Sequence, residues 1–91
     1  MSSPCPGIIA WFGEVTELLE EIIGLYENAF VVLGPKNLII QELSADAEAI
    51  QGWTPWVAVN CEAIWAVAIV AAIINAVEAI VEFAEEALAL L

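Results

Sequence analysis

Histidine is absent from the 91 residues, and Lys36 is the one basic side chain. Without histidine the chain lacks the usual neutral-pH general base and the commonest transition-metal ligand, so Ser-His-Asp and Cys-His arrangements are excluded. One lysine cannot neutralise a run of phosphates, which excludes nucleic acid as a partner. The Glu-x-x-His pairs of a di-iron bundle and the alternating oxygens around glycine of a calcium loop are also missing. Two cysteines, Cys5 and Cys61, stand too far apart for a C-x-x-C redox or zinc motif. The first seven residues carry no Lys or Arg, and the apolar run Ile8–Phe12 is short, so no secretory signal is recognisable. No catalytic residue, metal site or cofactor is expected, and the chain is not expected to be an enzyme.

Hydrophobic residues make up 63% of the sequence, against about 45–50% in soluble domains. Thirteen acids against one base give a net charge of −12. The length suits a single small helical domain spanning 1–91, and the expected fold is all-α. Residues 1–7 read as a tail. From 8 to 33, Glu14, Glu17, Glu20, Glu21 and Glu27 recur on one side of a helical wheel, with Val15, Leu18, Leu19, Ile22, Ile23 and Tyr26 opposite. That is an amphipathic helix. Gly34-Pro35 is a strong stop. Residues 36–51 predict a short helix with Ile39, Leu43, Ala47 and Ile50 at helical spacing, broken by Gly52.

Thr54-Pro55 then reads as an N-cap followed by the first helical position. No further Gly or Pro follows, so 55–90 predicts one long helix of about 54 Å. The two long helices are therefore expected to form a hairpin-like pair, joined by the Gly-Pro turn and the short helix, and packed in an assembly. Ala63–Ala76 is apolar all round apart from Asn75. The charge-free run between Glu62 and Glu78 covers about 22 Å as helix, short of the roughly 30 Å of a bilayer core. Two other helices in so short a chain cover such a segment poorly, which favours burial by copies of the chain, with lipid as a second candidate partner. Trp65, Ile69, Val70, Ala71, Ile73 and Ile74 are the side chains expected to face that partner.

The carboxylates crowd at i, i+3 and i+4, a spacing that costs roughly 0.2–0.5 kcal/mol per like-charge pair in a helix. Glu14, Glu17, Glu21, Glu78, Glu82 and Glu85 are read as a solvated acidic face. For Cys5 and Cys61 two readings stand open, a disulfide tying the N-terminal segment to the long helix or two buried thiols. Trp11, Trp53, Trp56 and Trp65 read either as core residues or as an interfacial belt. Lys36 is the one side chain able to meet a phosphate headgroup.

In its organisation, a short tail, an apolar helix, a turn with a lone lysine and a long apolar helix, the chain resembles the small all-α subunits of conjugative pili and other helical filaments, some of which pack with lipid. It is also similar in layout to small acidic channel-forming proteins of outer envelopes. The resemblance lies in layout, and no motif carries it. It implies a self-assembling, pilin-like or coat-like structural subunit forming a homo-oligomer or filament. The alternative is a membrane-active or pore-forming protein, an envelope channel or bacteriocin-like. Either implies a cell-surface, extracellular or membrane-associated location.

Overall fold

The computed structural model describes residues 5–29 and 37–91 and is helical almost throughout them. Helix α1 spans Cys5–Ala29, α2 spans Asn37–Asn60 and α3 spans Val67–Ala89, with a 3₁₀ turn at Ile64–Ala66 leading into α3. Each long helix covers about 35–37 Å. A disulfide joins Cys5, which opens α1, to Cys61, which follows α2. Tyr26, near the end of α1, donates a hydrogen bond to the carbonyl of Ala87, near the end of α3. These two ties set the topology, with α1 and α3 running the same way and α2 returning between them.

The molecule measures 51 × 19 × 19 Å, and its radius of gyration of 14.9 Å exceeds the roughly 12 Å of a compact chain this long. The interior is built on alternating steps of three and four residues. Phe12, Val15, Leu19, Ile22 and Tyr26 supply the α1 seam, Leu43, Ala47, Ile50 and Val57 the α2 seam, and Val70, Val77, Ala84 and Ala87 the α3 seam, all buried. Such spacing keeps one stripe of each helix facing its neighbours along the whole bundle. Small side chains at 84 and 87 bring α3 close where Tyr26 reaches across. The Tyr26 hydroxyl thereby serves one of the last-turn carbonyls that a helix leaves without an internal N–H partner. Leu90 N–H approaches the same oxygen at 3.2 Å.

Several sequence expectations are corrected. The helix expected from residue 8 starts at Cys5, because Pro6 sits in the first turn, where its missing N–H costs nothing. Its expected end at 33, the Gly34-Pro35 turn and Lys36 lie outside the described residues. The short helix expected over 36–51 runs on to Asn60, and Gly52, Thr54 and Pro55 lie inside it. Thr54 is no N-cap. Its Oγ1 donates to the Ile50 carbonyl at 2.7 Å instead. Ile50 and Val57, both fully buried, anchor α2 on either side of the proline, and their burial offsets the roughly 3 kcal/mol that an interior proline costs.

The single helix expected over 55–90 is divided at Cys61–Ala63. Asn60 Nδ2 donates to the Trp56 carbonyl at 3.0 Å, and Ala63 takes extended backbone (φ −73°, ψ 129°). The physical reason is burial. A continuous helix would carry Ala66, Val70, Val77 and Ala84 away from the other helices, whereas doubling back buries all four.

Candidate functional site

The two ends of the bundle differ in chemistry. Around the disulfide, where the Cα atoms of Cys5 and Cys61 lie 6.1 Å apart, the chain contributes residues 5–13, 49–60 and 61–77. Of the thirteen acidic residues only Glu62 belongs to those stretches, and all four tryptophans do. This acid-poor zone is about 13–20 Å deep along the helices. Trp56 and Trp65 meet edge to face at 6.1 Å and 82°, and Trp11 lies against Phe12 at 5.7 Å. Trp11, Trp53 and Trp56 are half-buried, whereas Trp65 stays 66% exposed. Around it Ile64 is 91% and Val59 82% exposed, and Val67 and Ile69 are exposed as well. The segment from Val59 to Ile69, across the 3₁₀ turn, therefore leaves five large apolar side chains in solvent.

Leu25, Leu38, Leu88, Leu90 and Leu91 form a second exposed set at the far end. Exposed Glu27, Glu85 and Glu86 belong to the same helix ends.

Of the residues expected to face a partner, Trp65, Ile69 and Ala71 are exposed and Ile73 and Ile74 are half-buried. Val70 is a correction: at 7% exposure it turns inward, because it falls seven residues before Val77 on the α3 seam. Glu14, Glu17, Glu21, Glu78, Glu82 and Glu85 all lie on exposed surface. Asp46 is the half-buried acid. Burial, with the nearby charge of Glu42 second, raises its pKa above the ordinary carboxylate value. Among the described residues no group of three or more His, Cys, Asp or Glu side chains is placed to hold a metal ion. The headgroup contact expected of Lys36 falls outside the described residues.

One feature of this end carries little sequence signal. A groove of about 380 Å³ runs between α1 and α2, lined by Ile9, Gly13 and Thr16 on one side and Gln51, Thr54 and Pro55 on the other. Gly13 opens it, since a Cβ at that position would meet nothing within 4 Å. The Thr16 hydroxyl donates to the Phe12 carbonyl at 2.9 Å, as that of Thr54 does to Ile50. Both hydroxyls are thus engaged within their own helices, and the groove is apolar but for Gln51. The four- and three-residue steps from Ile9 to Gly13 to Thr16 were the available hint.

The stretch Ile64–Ala89 is long and apolar enough, by length and composition, to cross a membrane, although its second half holds Glu78, Glu82, Glu85 and Glu86. Comparison with known protein families, curated proteins and solved structures gives no match.

Proposed function

We propose that the protein is a non-enzymatic, self-assembling structural subunit, filament-like or coat-like, whose copies meet through the acid-poor end around the disulfide. One observation carries the reading: three helices already fill an interior with their seams, yet Val59, Ile64, Trp65, Val67 and Ile69, all within eleven residues of chain, remain exposed. Fully burying a large apolar side chain is worth about 1.5–3 kcal/mol, so covering these five in proportion to their exposure returns roughly 5–10 kcal/mol gross. Association costs about 4–15 kcal/mol before any contact is counted. Most of the cluster must therefore be covered in each contact, and repetition along an array helps.

Charge supports the same choice. Chains at −12 repel wherever carboxylates meet, and the acid-poor end, with Glu62 as its one carboxylate, is where two copies approach with least repulsion. A lipid surface is less favoured, because amphipathic surface binders use Lys and Arg against anionic headgroups and this end has neither. A disulfide persists in oxidising surroundings, which supports a cell-surface or extracellular setting.

Sedimentation velocity and negative-stain electron microscopy of detergent-free protein test the proposal. Regular oligomers or filaments are expected, and a monodisperse 9.8 kDa species at all concentrations would overturn it. The apolar stretch Ile64–Ala89 favours a second, membrane-active reading. Release of dye from neutral lipid vesicles, by particles that form no array, would support that one instead.

A further inference from the structure

We propose that copies exchange α3: the chain opens at Ala63, α2 and α3 fuse into one helix, and α3 packs on the α1–α2 pair of a second copy. The inference rests on the self-assembly reading and specifies how the copies hold one another.

The hinge carries it. Between Asn60 and Val67 the sequence is Cys-Glu-Ala-Ile-Trp-Ala, without glycine or proline, and no described residue has a positive φ. Alanine is the best helix former, yet Ala63 is extended at ψ 129° although its φ of −73° already suits a helix. On one side the Cys61 N–H still bonds to the Val57 carbonyl at 2.9 Å, four residues back as in an α-helix. On the other, Ala66 and Val67 are helical again. Rotation centred on the Ala63 ψ therefore turns the reversal into one helix of about 80 Å over residues 37–89. The reversal exists because it buries Ala66, Val70, Val77 and Ala84. A second copy buries the same four equally well, since its α1 and α2 offer the same seams. Helix preference and burial conflict at Ala63 within one chain and agree in an exchanged pair.

The disulfide is placed to permit this. It fixes Cys61, two residues before the hinge, to the start of α1, so α1 and α2 stay joined there whether α3 is docked or open. The buried residues of α3 are Val70, Val77, Ala84 and Ala87, small side chains throughout, and Tyr26 bonds to the Ala87 carbonyl. Exchange remakes each of these contacts between chains. Val59, Ile64, Trp65, Val67 and Ile69, exposed in the single chain, all lie within six residues of Ala63, where two fused helices pass each other in a reciprocal pair. Glu62 is the one carboxylate in that stretch. Reciprocal exchange closes a pair, and onward exchange from copy to copy builds an open array.

Two substitutions at residue 64 test it, since Ile64 is 91% exposed and neither removes core packing. Ile64→Pro suits the closed chain, because the residue before a proline favours the extended backbone that Ala63 has and proline is favoured at a first helical position. Inside a fused helix the same proline costs about a hundredfold in stability per hinge. Ile64→Ala removes the side chain and leaves fusion free. Both are expected to keep wild-type helicity when monomeric. At concentrations where wild type is assembled, Ile64→Pro is expected to sediment as a monomer and Ile64→Ala to assemble. Assembly of the proline variant like wild type, or loss of assembly in the alanine variant as well, overturns the exchange and leaves self-assembly through the exposed cluster standing. A second measurement needs no variant. Isotope-labelled and unlabelled wild type, unfolded and refolded together with the disulfide intact, are expected to show NMR contacts between Tyr26 of one chain and Ala87 of another. Contacts within single chains alone, in assembled protein, overturn the exchange. A monomeric wild type overturns self-assembly too.

Discussion

Replacing Cys5 and Cys61 together by serine removes the one covalent tie in the bundle. The bond closes a loop across a sequence separation of 56 residues that contains the whole of α1 and α2. Loop-closure entropy for that length gives about 4 kcal/mol of stability, acting on the unfolded chain. Total stabilities run to roughly 5–15 kcal/mol, so the loss is a large share. For a domain of this size each kcal/mol moves the melting temperature by about 4–8 °C, and a fall of roughly 15–30 °C is expected. Circular dichroism melts of the double serine variant and of oxidised wild type, both dilute enough to be monomeric, read it directly. Wild type treated with a phosphine reductant should melt with the variant. A melting temperature within about 3 °C of oxidised wild type would refute the reasoning, since it would mean that α1 and α2 constrain each other as strongly without the bond.

Tyr26→Phe keeps the ring in the seam but deletes the hydroxyl that reaches Ala87; a loss of about 1 kcal/mol, or roughly 5 °C, is expected in the same melts. Asp46→Asn should stabilise the monomer near pH 7, because burial penalises the charged carboxylate. The folded pKa is raised, so the native state binds the proton more tightly. The wild-type penalty is present above the raised value and fades as pH falls toward about 3.9, and melts of the two chains should converge there. Raising salt from 0.1 to 1 M shortens the Debye length from about 10 to 3 Å. Light scattering should then show more assembly at 1 M than at 0.1 M, and less would contradict the role given to carboxylate repulsion.

Helix α1 is legible in the sequence because its glutamates interrupt the apolar pattern at every turn, so the inner stripe of Val15, Leu19 and Ile22 stands out. Helix α3 is harder to read. Val70, Val77 and Ala84 form an equally regular inner stripe, yet alanine, isoleucine and valine surround them, and no polar residue before Asn75 marks the outside. The chain reversal at Cys61–Ala63 has neither glycine nor proline to announce it; Asn60 and the bond to Cys5 are its local features. Gly52 and Thr54-Pro55 look like a break and a new start, and tertiary burial of Ile50 and Val57 overrides that local preference. The exposed apolar segment was readable from composition. The groove was not, because a glycine inside a helix says nothing by itself about the space beside it.

Hydroxyl-radical footprinting of dilute and concentrated protein, read residue by residue, tests most directly where copies meet. Oxidation of Val59, Ile64, Trp65 and Ile69 is expected to fall on assembly. Phe83, half-buried among the α3 glutamates, should react equally in both samples. Protection around Phe83 and the far-end leucines, with Ile64 and Trp65 as reactive as in the monomer, would contradict the account.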